Sequence, residues 1–176
     1  TVFTGETINF DGSASYDLDG YTTGYGWDFG DGTNDSGIIT SHSYADNGEY
    51  FVTLTVVDNE GAKSSITSSV TVKNRSPEAQ FIVSATILDK QETVTFDASG
   101  SHDPDGLVVK YSWDFGDGNT ANVVRVSHSY NNVGAYIVKL TVTDNDGAKD
   151  IASATKTVRN HSPLAVITET IKTIYV

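Results

Sequence analysis

The sequence predicts an all-β chain made of two tandem antiparallel β-sandwiches, and three observations predict it. Apolar residues recur with a period of two, as in Tyr50, Val52, Leu54 and Val56, which is the signature of a strand with one buried face. Turn residues punctuate these runs at short intervals. The whole pattern then occurs a second time, at an offset of 86 residues: Trp27-Asp28-Phe29-Gly30-Asp31-Gly32 returns as Trp113-Asp114-Phe115-Gly116-Asp117-Gly118. No stretch carries a helical period, and about seven short strands per repeat suit a sandwich.

The elements follow in order. Ile8 and Phe10, with Val94 and Phe96 as counterparts, open the pattern. Tyr25, Trp27 and Phe29 alternate next, and Gly30-Asp31-Gly32 stops that strand because glycine accepts backbone angles other residues avoid. Trp27 and Trp113 are therefore core anchors, with Asp31 and Asp117 organising the turn. Ser41-His42-Ser43-Tyr44 repeats as Ser127-His128-Ser129-Tyr130. Its tyrosines are expected to bury their rings and bond a backbone group, like a tyrosine corner. In the longest run the inner positions of the two copies are identical, whereas Phe51 and Thr53 are replaced by Ile137 and Lys139 on the outer face. Asn59-Glu60-Gly61 and Asn145-Asp146-Gly147 then read as hairpin loops with glycine at positive φ.

Residues 1–76 are expected to form a sandwich lacking its first strand, and residues 77–162 a complete one. Residues 163–176 read as the first-strand segment of a third repeat, since Pro163-Leu164-Ala165-Val166-Ile167 matches Pro77-Glu78-Ala79-Gln80-Phe81. The chain thus looks like a window on a longer array, with any targeting signal carried elsewhere.

These motifs together resemble the polycystic kidney disease (PKD) domain. Besides the WDFGDG run and the His-Ser-Tyr triplet, the residues that carry the likeness are Ser15-Tyr16-Asp17-Leu18-Asp19-Gly20, Ser101-His102-Asp103-Pro104-Asp105-Gly106 and Leu54 to Gly61. Leu18 stands where the motif usually has proline. The resemblance implies an immunoglobulin-like fold and an extracellular setting, as in archaeal surface-layer proteins, microbial collagenases and other hydrolases, and polycystin ectodomains. There such domains serve as spacers or interaction modules and are not catalytic.

Composition excludes much else. Of 176 residues, 38% are hydrophobic, enough for packed cores, and no run reaches the roughly 20 apolar residues of a spanning helix. With no cysteine, thiol chemistry and cysteine-ligated zinc fall away. A net charge of −12 repels phosphate backbones, so nucleic acid is not an expected partner. Neither HExxH nor Gly-x-Ser-x-Gly occurs, and no enzyme activity is expected.

Two features invite partners. The resemblance to collagenase-associated members implies calcium between the interdomain linker and the acidic loop, which maps onto Asn74, Ser76, Asp103 and Asp105. Arg75 beside them opposes a cation, and the competing reading is a metal-free Asx turn; Asp17 and Asp19 form an incomplete counterpart. The segment 163–176 is expected to add to the open edge of a neighbouring copy's first domain by strand exchange. The expected function is a non-catalytic extracellular spacer and interaction module. The alternative is a carbohydrate- or matrix-binding accessory module of a secreted hydrolase, with Tyr16, Tyr21 and Phe51 as stacking candidates. Their counterparts His102, Leu107 and Ile137 form no repeated aromatic strip.

Overall fold

The computed structural model describes residues 1–168 and is all-β, with no helix among them. The first repeat carries seven strands: β1 (Val2–Phe3), β2 (Ile8–Asp11), β3 (Thr22–Asp28), β4 (Asn34–Ser36), β5 (Ile39–His42), β6 (Gly48–Asp58) and β7 (Lys63–Lys73). They form a five-stranded sheet in the order β1-β7-β6-β3-β4 and a two-stranded sheet β2-β5. The second repeat carries eight: β8 (Ile82–Val83), β9 (Ile87–Asp89), β10 (Val94–Asp97), β11 (Val108–Asp114), β12 (Thr120–Ala121), β13 (Arg125–His128), β14 (Gly134–Asp144) and β15 (Lys149–Arg159). Their sheets are β12-β11-β14-β15-β9 and β13-β10-β8.

At one edge of each larger sheet β1 runs parallel to β7 and β9 parallel to β15, whereas β2–β5, β3–β4, β3–β6, β6–β7, β8–β10, β10–β13 and β11–β12 pair antiparallel. In the second repeat the cause is visible. Residues 82–83 pair in one sheet and residues 87–89 in the other, so the chain crosses between layers and then runs alongside the last strand. Packing divides the described residues into two compact units. One comprises Thr1–Glu78 with His102–Val109 and Val142–Asp150, and the other holds the remainder.

The alternating residues face inward as expected. Trp27, Phe29, Tyr44, Val52, Leu54 and Val72 form the buried cluster of the first repeat. Trp113, Phe115, Tyr130, Val138 and Leu140 are buried in the second. The polar tips of the buried tryptophans and of Tyr44 and Tyr130 are paired, which spares the desolvation cost of an orphaned group. The indole N–H of Trp27 donates to the Gly37 carbonyl (2.9 Å) and that of Trp113 to Val123 (2.8 Å). Tyr44 and Tyr130 donate their hydroxyls to the carbonyls of Phe29 and Phe115 (3.0 and 3.1 Å). Gly30 and Gly116 sit at φ 78° and 77°, and a Cβ at either would lie 2.7 Å from the carbonyl oxygen of Phe51 or Ile137. The WDFGDG turn therefore needs glycine there for both conformation and space.

Candidate metal centre

The linker after β7 lies against two loops of the second repeat, residues 102–107 and 144–147, all within one compact unit. A backbone bridge fixes one side: Glu78 N–H donates to the His102 carbonyl (2.7 Å), and His102 N–H donates back (3.2 Å). Asn145 fixes the other, accepting the Leu107 N–H on Oδ1 (2.8 Å) and donating its own N–H to the Leu107 carbonyl (3.0 Å). Gly106 is required by space, since a Cβ would fall 2.3 Å from Asn145 Oδ1 and 2.8 Å from Asp103 Oδ2.

Within this frame three carboxylate oxygens are almost fully shielded from solvent: both of Asp103 and Oδ1 of Asp105. Asp105 Oδ2 accepts the Arg75 backbone N–H at 2.9 Å. Burial pushes the Asp103 carboxyl pKa upward against the pull of the Asp105 backbone N–H, and the charges of Asp105 and Asp144 push it up further. Leaving buried ionic oxygens unpaired costs several kcal/mol, by order of magnitude. A hard cation is the partner that such oxygens best accommodate.

Of the residues the sequence singled out, Asn74, Asp103 and Asp105 gather here, while Ser76 is solvent-exposed. Asp144 joins them unannounced. It is buried, accepts the N–H groups of Asp146 and Ala148 on Oδ1 (3.0 and 2.8 Å), and takes Asn74 Nδ2 on Oδ2 at 2.9 Å. Its only sequence signal was its place at the head of a hairpin loop. The Arg75 objection dissolves, because the guanidinium turns to Glu6 (3.0 Å) and lies 5.1 Å over the Phe3 ring. Among the described residues no group of three or more His, Asp or Glu side chains is placed to hold a metal ion. In the first repeat Asp19 is exposed and Asp17 half-buried, and neither has an orphaned buried oxygen.

A second constellation, missed in the sequence, occurs in both repeats. His42 Nε2 lies 2.7 Å from Asp31 Oδ2, its ring stacked on Phe29 at 4.1 Å and set edge-on to Tyr44 at 4.7 Å. His128 repeats this with Asp117 (2.9 Å), Phe115 (4.2 Å) and Tyr130 (4.7 Å). These histidines are thus half-buried members of the aromatic core that tie the WDFGDG turn to the next strand. Burial raises the Asp31 pKa, but hydrogen bonds from the Thr33 hydroxyl and amide, together with His42, outweigh it and hold the value at about 2. Asp117 is lowered by the equivalent bonds from Asn119 and His128, again against burial. A depressed carboxylate adds stability above its unfolded value, 3.8 for aspartate, and loses it as pH falls through the folded value. The melting temperature is therefore expected to drop between pH 4 and about 2. The double variant Asp31→Asn, Asp117→Asn should show a shallower drop in that window. An unchanged slope on thermal melts at stepped pH would refute the assignment.

Comparison with known proteins agrees with this architecture. The family model described as PKD domain matches residues 1–73 and again residues 74–159. Collagenase ColA of Clostridium perfringens is 35% identical over 131 residues, covering 74% of this chain and 11% of that protein. The pre-pro-metalloprotease PrtV of Vibrio cholerae is 34% identical over 136 residues, covering 77% and 14%. The chain therefore spans only a small part of the length of these relatives. Among solved structures, the PKD1 domain of Vibrio anguillarum Epp is 37% identical and aligns with 51% of this chain and all of that one, at a TM-score of 0.45. Two consecutive matches that account for nearly every described residue place this chain in the PKD domain family.

Proposed function

We propose that this chain is a non-catalytic extracellular spacer and interaction module of a cell-surface or secreted protein, whose interdomain linker is fixed by calcium. The observation that carries the calcium reading is the group of three solvent-shielded carboxylate oxygens on Asp103 and Asp105. These two carboxylates supply the charge, and Asn74 supplies a neutral oxygen from the linker. Asp144 acts as a positioning residue, since its bond to Asn74 Nδ2 orients that amide. Bound calcium would neutralise the buried charge and stiffen the joint, which is what a spacer requires. The relatives named collagenase and metalloprotease support a place beside a hydrolase outside the cell.

Calorimetric titration with calcium, together with thermal melts in calcium or chelator, tests this. At a hundredfold excess over Kd a site specific to the folded state adds about 2.7 kcal/mol, or roughly 11–22 °C for a domain of this size. Absence of both heat and shift would refute it.

The accessory reading, binding of polysaccharide or matrix protein, rests on a different observation. Tyr16, Tyr21 and Phe51 are 78%, 67% and 59% exposed, as stacking on sugar rings requires. Collagen and glycan pull-downs with the triple alanine variant as control separate this reading from a pure spacer.

A further inference from the structure

The outer face of the five-stranded sheet of the first repeat carries an open polar recess of about 250 Å³. Gly26 of β3 forms its floor, with Asp28 and Asn34 on one side and Thr53 and Thr55 of β6 on the other. The register puts these residues on one surface. Gly26 lies opposite both Ser36 and Thr55, and Asp28 opposite both Asn34 and Thr53. Trp27, between Gly26 and Asp28, is buried, so the recess opens away from the core. The hydroxyls of Thr53 and Thr55 lie 2.8 Å from those of Thr67 and Ser65, which hold the wall in place.

The fold does not require glycine at this floor. Gly26 is not among the glycines at positive φ, and a Cβ on it would come no closer than 3.9 Å to the Thr55 carbonyl oxygen. Glycine weakens a strand interior, and where conformation does not call for it, it marks close approach by a ligand or another chain. The second repeat dispenses with it. At the offset of 86, Gly26, Asn34 and Thr53 become Ser112, Thr120 and Lys139. The open floor and the asparagine beside it therefore occur together, within one repeat and not the other.

That asparagine opens Asn34-Asp35-Ser36, which has the Asn-x-Ser form of an N-linked glycan acceptor. Asn74-Arg75-Ser76 and Asn160-His161-Ser162 share the form, and their surroundings separate the three. Asn34, Asp35 and Ser36 make up β4, at the edge of its sheet, and all three are exposed. Gly37 follows them and leaves the backbone free to bend. Asn74 instead commits its Nδ2 to Asp144 at 2.9 Å, and Pro77 follows its serine. Asn160 is exposed, but Pro163 follows its serine. A residue before proline is held extended, which opposes the turn that brings the serine hydroxyl to the asparagine amide. Pro163 also begins the segment expected to exchange strands, of which residues 169–176 lie outside the described residues.

We propose that Asn34 is an N-glycosylation acceptor whose oligosaccharide seats its first sugar in the recess beside Gly26. The proposal rests on the extracellular setting proposed above. The donor is an oligosaccharide carried on a polyprenyl diphosphate, brought by a membrane-bound transferase. Asn34 Nδ2 displaces the diphosphate from C1 of the first sugar. The N–C bond forms, the C–O bond to diphosphate breaks, the amide gives up one proton and polyprenyl diphosphate leaves. The tethered sugar then has the Asp28 carboxylate and the Thr53 and Thr55 hydroxyls as hydrogen-bond partners. In that position the glycan shields β4, an edge strand whose free backbone groups would otherwise invite pairing with other chains.

The test starts with the protein isolated from the organism that makes it. Peptide mapping by mass spectrometry should find a sugar adduct on Asn34, with Asn74 and Asn160 bare. Fractionation of the same cells reads the setting independently. Protein outside the cell with Asn34 bare would overturn the glycan and leave the extracellular reading standing. Protein confined inside the cell would overturn both. The full chain is also secreted from yeast, which supplies donor and transferase. Wild type should again carry the glycan at Asn34, and Ser36→Ala should lose it while its melting temperature, measured beside deglycosylated wild type, stays unchanged. A bare Asn34 in secreted wild type, or occupancy untouched by Ser36→Ala, would refute the acceptor. The seat is read separately. Gly26→Ser with Thr53→Lys, which copies the second repeat, should keep the glycan but let a glycan-releasing amidase remove it several-fold faster from the folded protein. Equal rates of release would show that the recess holds no sugar.

Discussion

Trp113→Ala is expected to unfold the second repeat at a temperature where the first is still intact. The Trp113 indole is 1% exposed, donates to the Val123 carbonyl, stacks parallel to Phe115 at 6.1 Å and meets Phe96 and Phe81 edge-on. Truncating a buried aromatic of this kind costs about 3–5 kcal/mol, because lost transfer energy and an unfilled cavity add together. The stranded Val123 carbonyl adds to that cost. A domain is typically stable by only 5–15 kcal/mol in total. Trp27→Ala should cost measurably less. Trp27 already borders an open hollow and meets Phe10 at 5.6 Å, and among the described residues no ring packs on it as Phe81 does on Trp113. Each repeat holds one of the chain's two tryptophans, so either variant leaves a single indole whose emission reports the repeat that kept it. Equal losses of melting temperature in the two variants, or a larger loss for Trp27→Ala, would show that the hollow is not an energetic difference between the repeats.

Most of this core was legible because a strand buried on one face writes its orientation into every second residue. The outward positions Phe51 and Ile137 are indeed exposed, and the repeat exposed them by letting them differ. The tyrosine hydroxyl bonds followed from the general need to pair a buried polar tip. Strands β4 and β12 could not be read, since Asn34–Ser36 and Thr120–Ala121 are short, polar and held only by pairing with β3 and β11. The parallel edge pairs were invisible for a related reason: which neighbour a two- or three-residue strand chooses is settled by tertiary packing and leaves no local pattern. Asp144 and the His–Asp pairs were hidden in plain composition. Aspartate at a hairpin loop and histidine in a strand are ordinary residues until the fold brings Asn74 or Asp31 within bonding distance. Even the Arg75 objection was a matter of linear proximity, removed once its side chain had turned to Glu6 and Phe3.

Asp103→Asn should have opposite effects with and without calcium. In the ion-free protein the two oxygens of Asp103 are shielded from solvent, and burial with the Asp105 and Asp144 charges outweighs the Asp105 backbone N–H in disfavouring the ionised form. Neutralising it removes a like-charge repulsion and part of the desolvation penalty. In chelator the variant is therefore expected to melt at or above the wild-type temperature, with a gain on the order of 1 kcal/mol. With calcium present the same change removes a charged ligand, and the stabilisation of about 2.7 kcal/mol at a hundredfold excess over Kd should largely vanish. A hydrogen-bonded Asx turn predicts the reverse in chelator, where losing an acceptor would destabilise the loop whatever the metal. Gly106→Ala serves as the geometric control. Its Cβ would press on Asp103 Oδ2 and Asn145 Oδ1 without altering charge, so it should lower stability in both conditions and weaken calcium binding. A destabilised Asp103→Asn variant in chelator would leave the loop as ordinary turn chemistry and remove the ion from the linker.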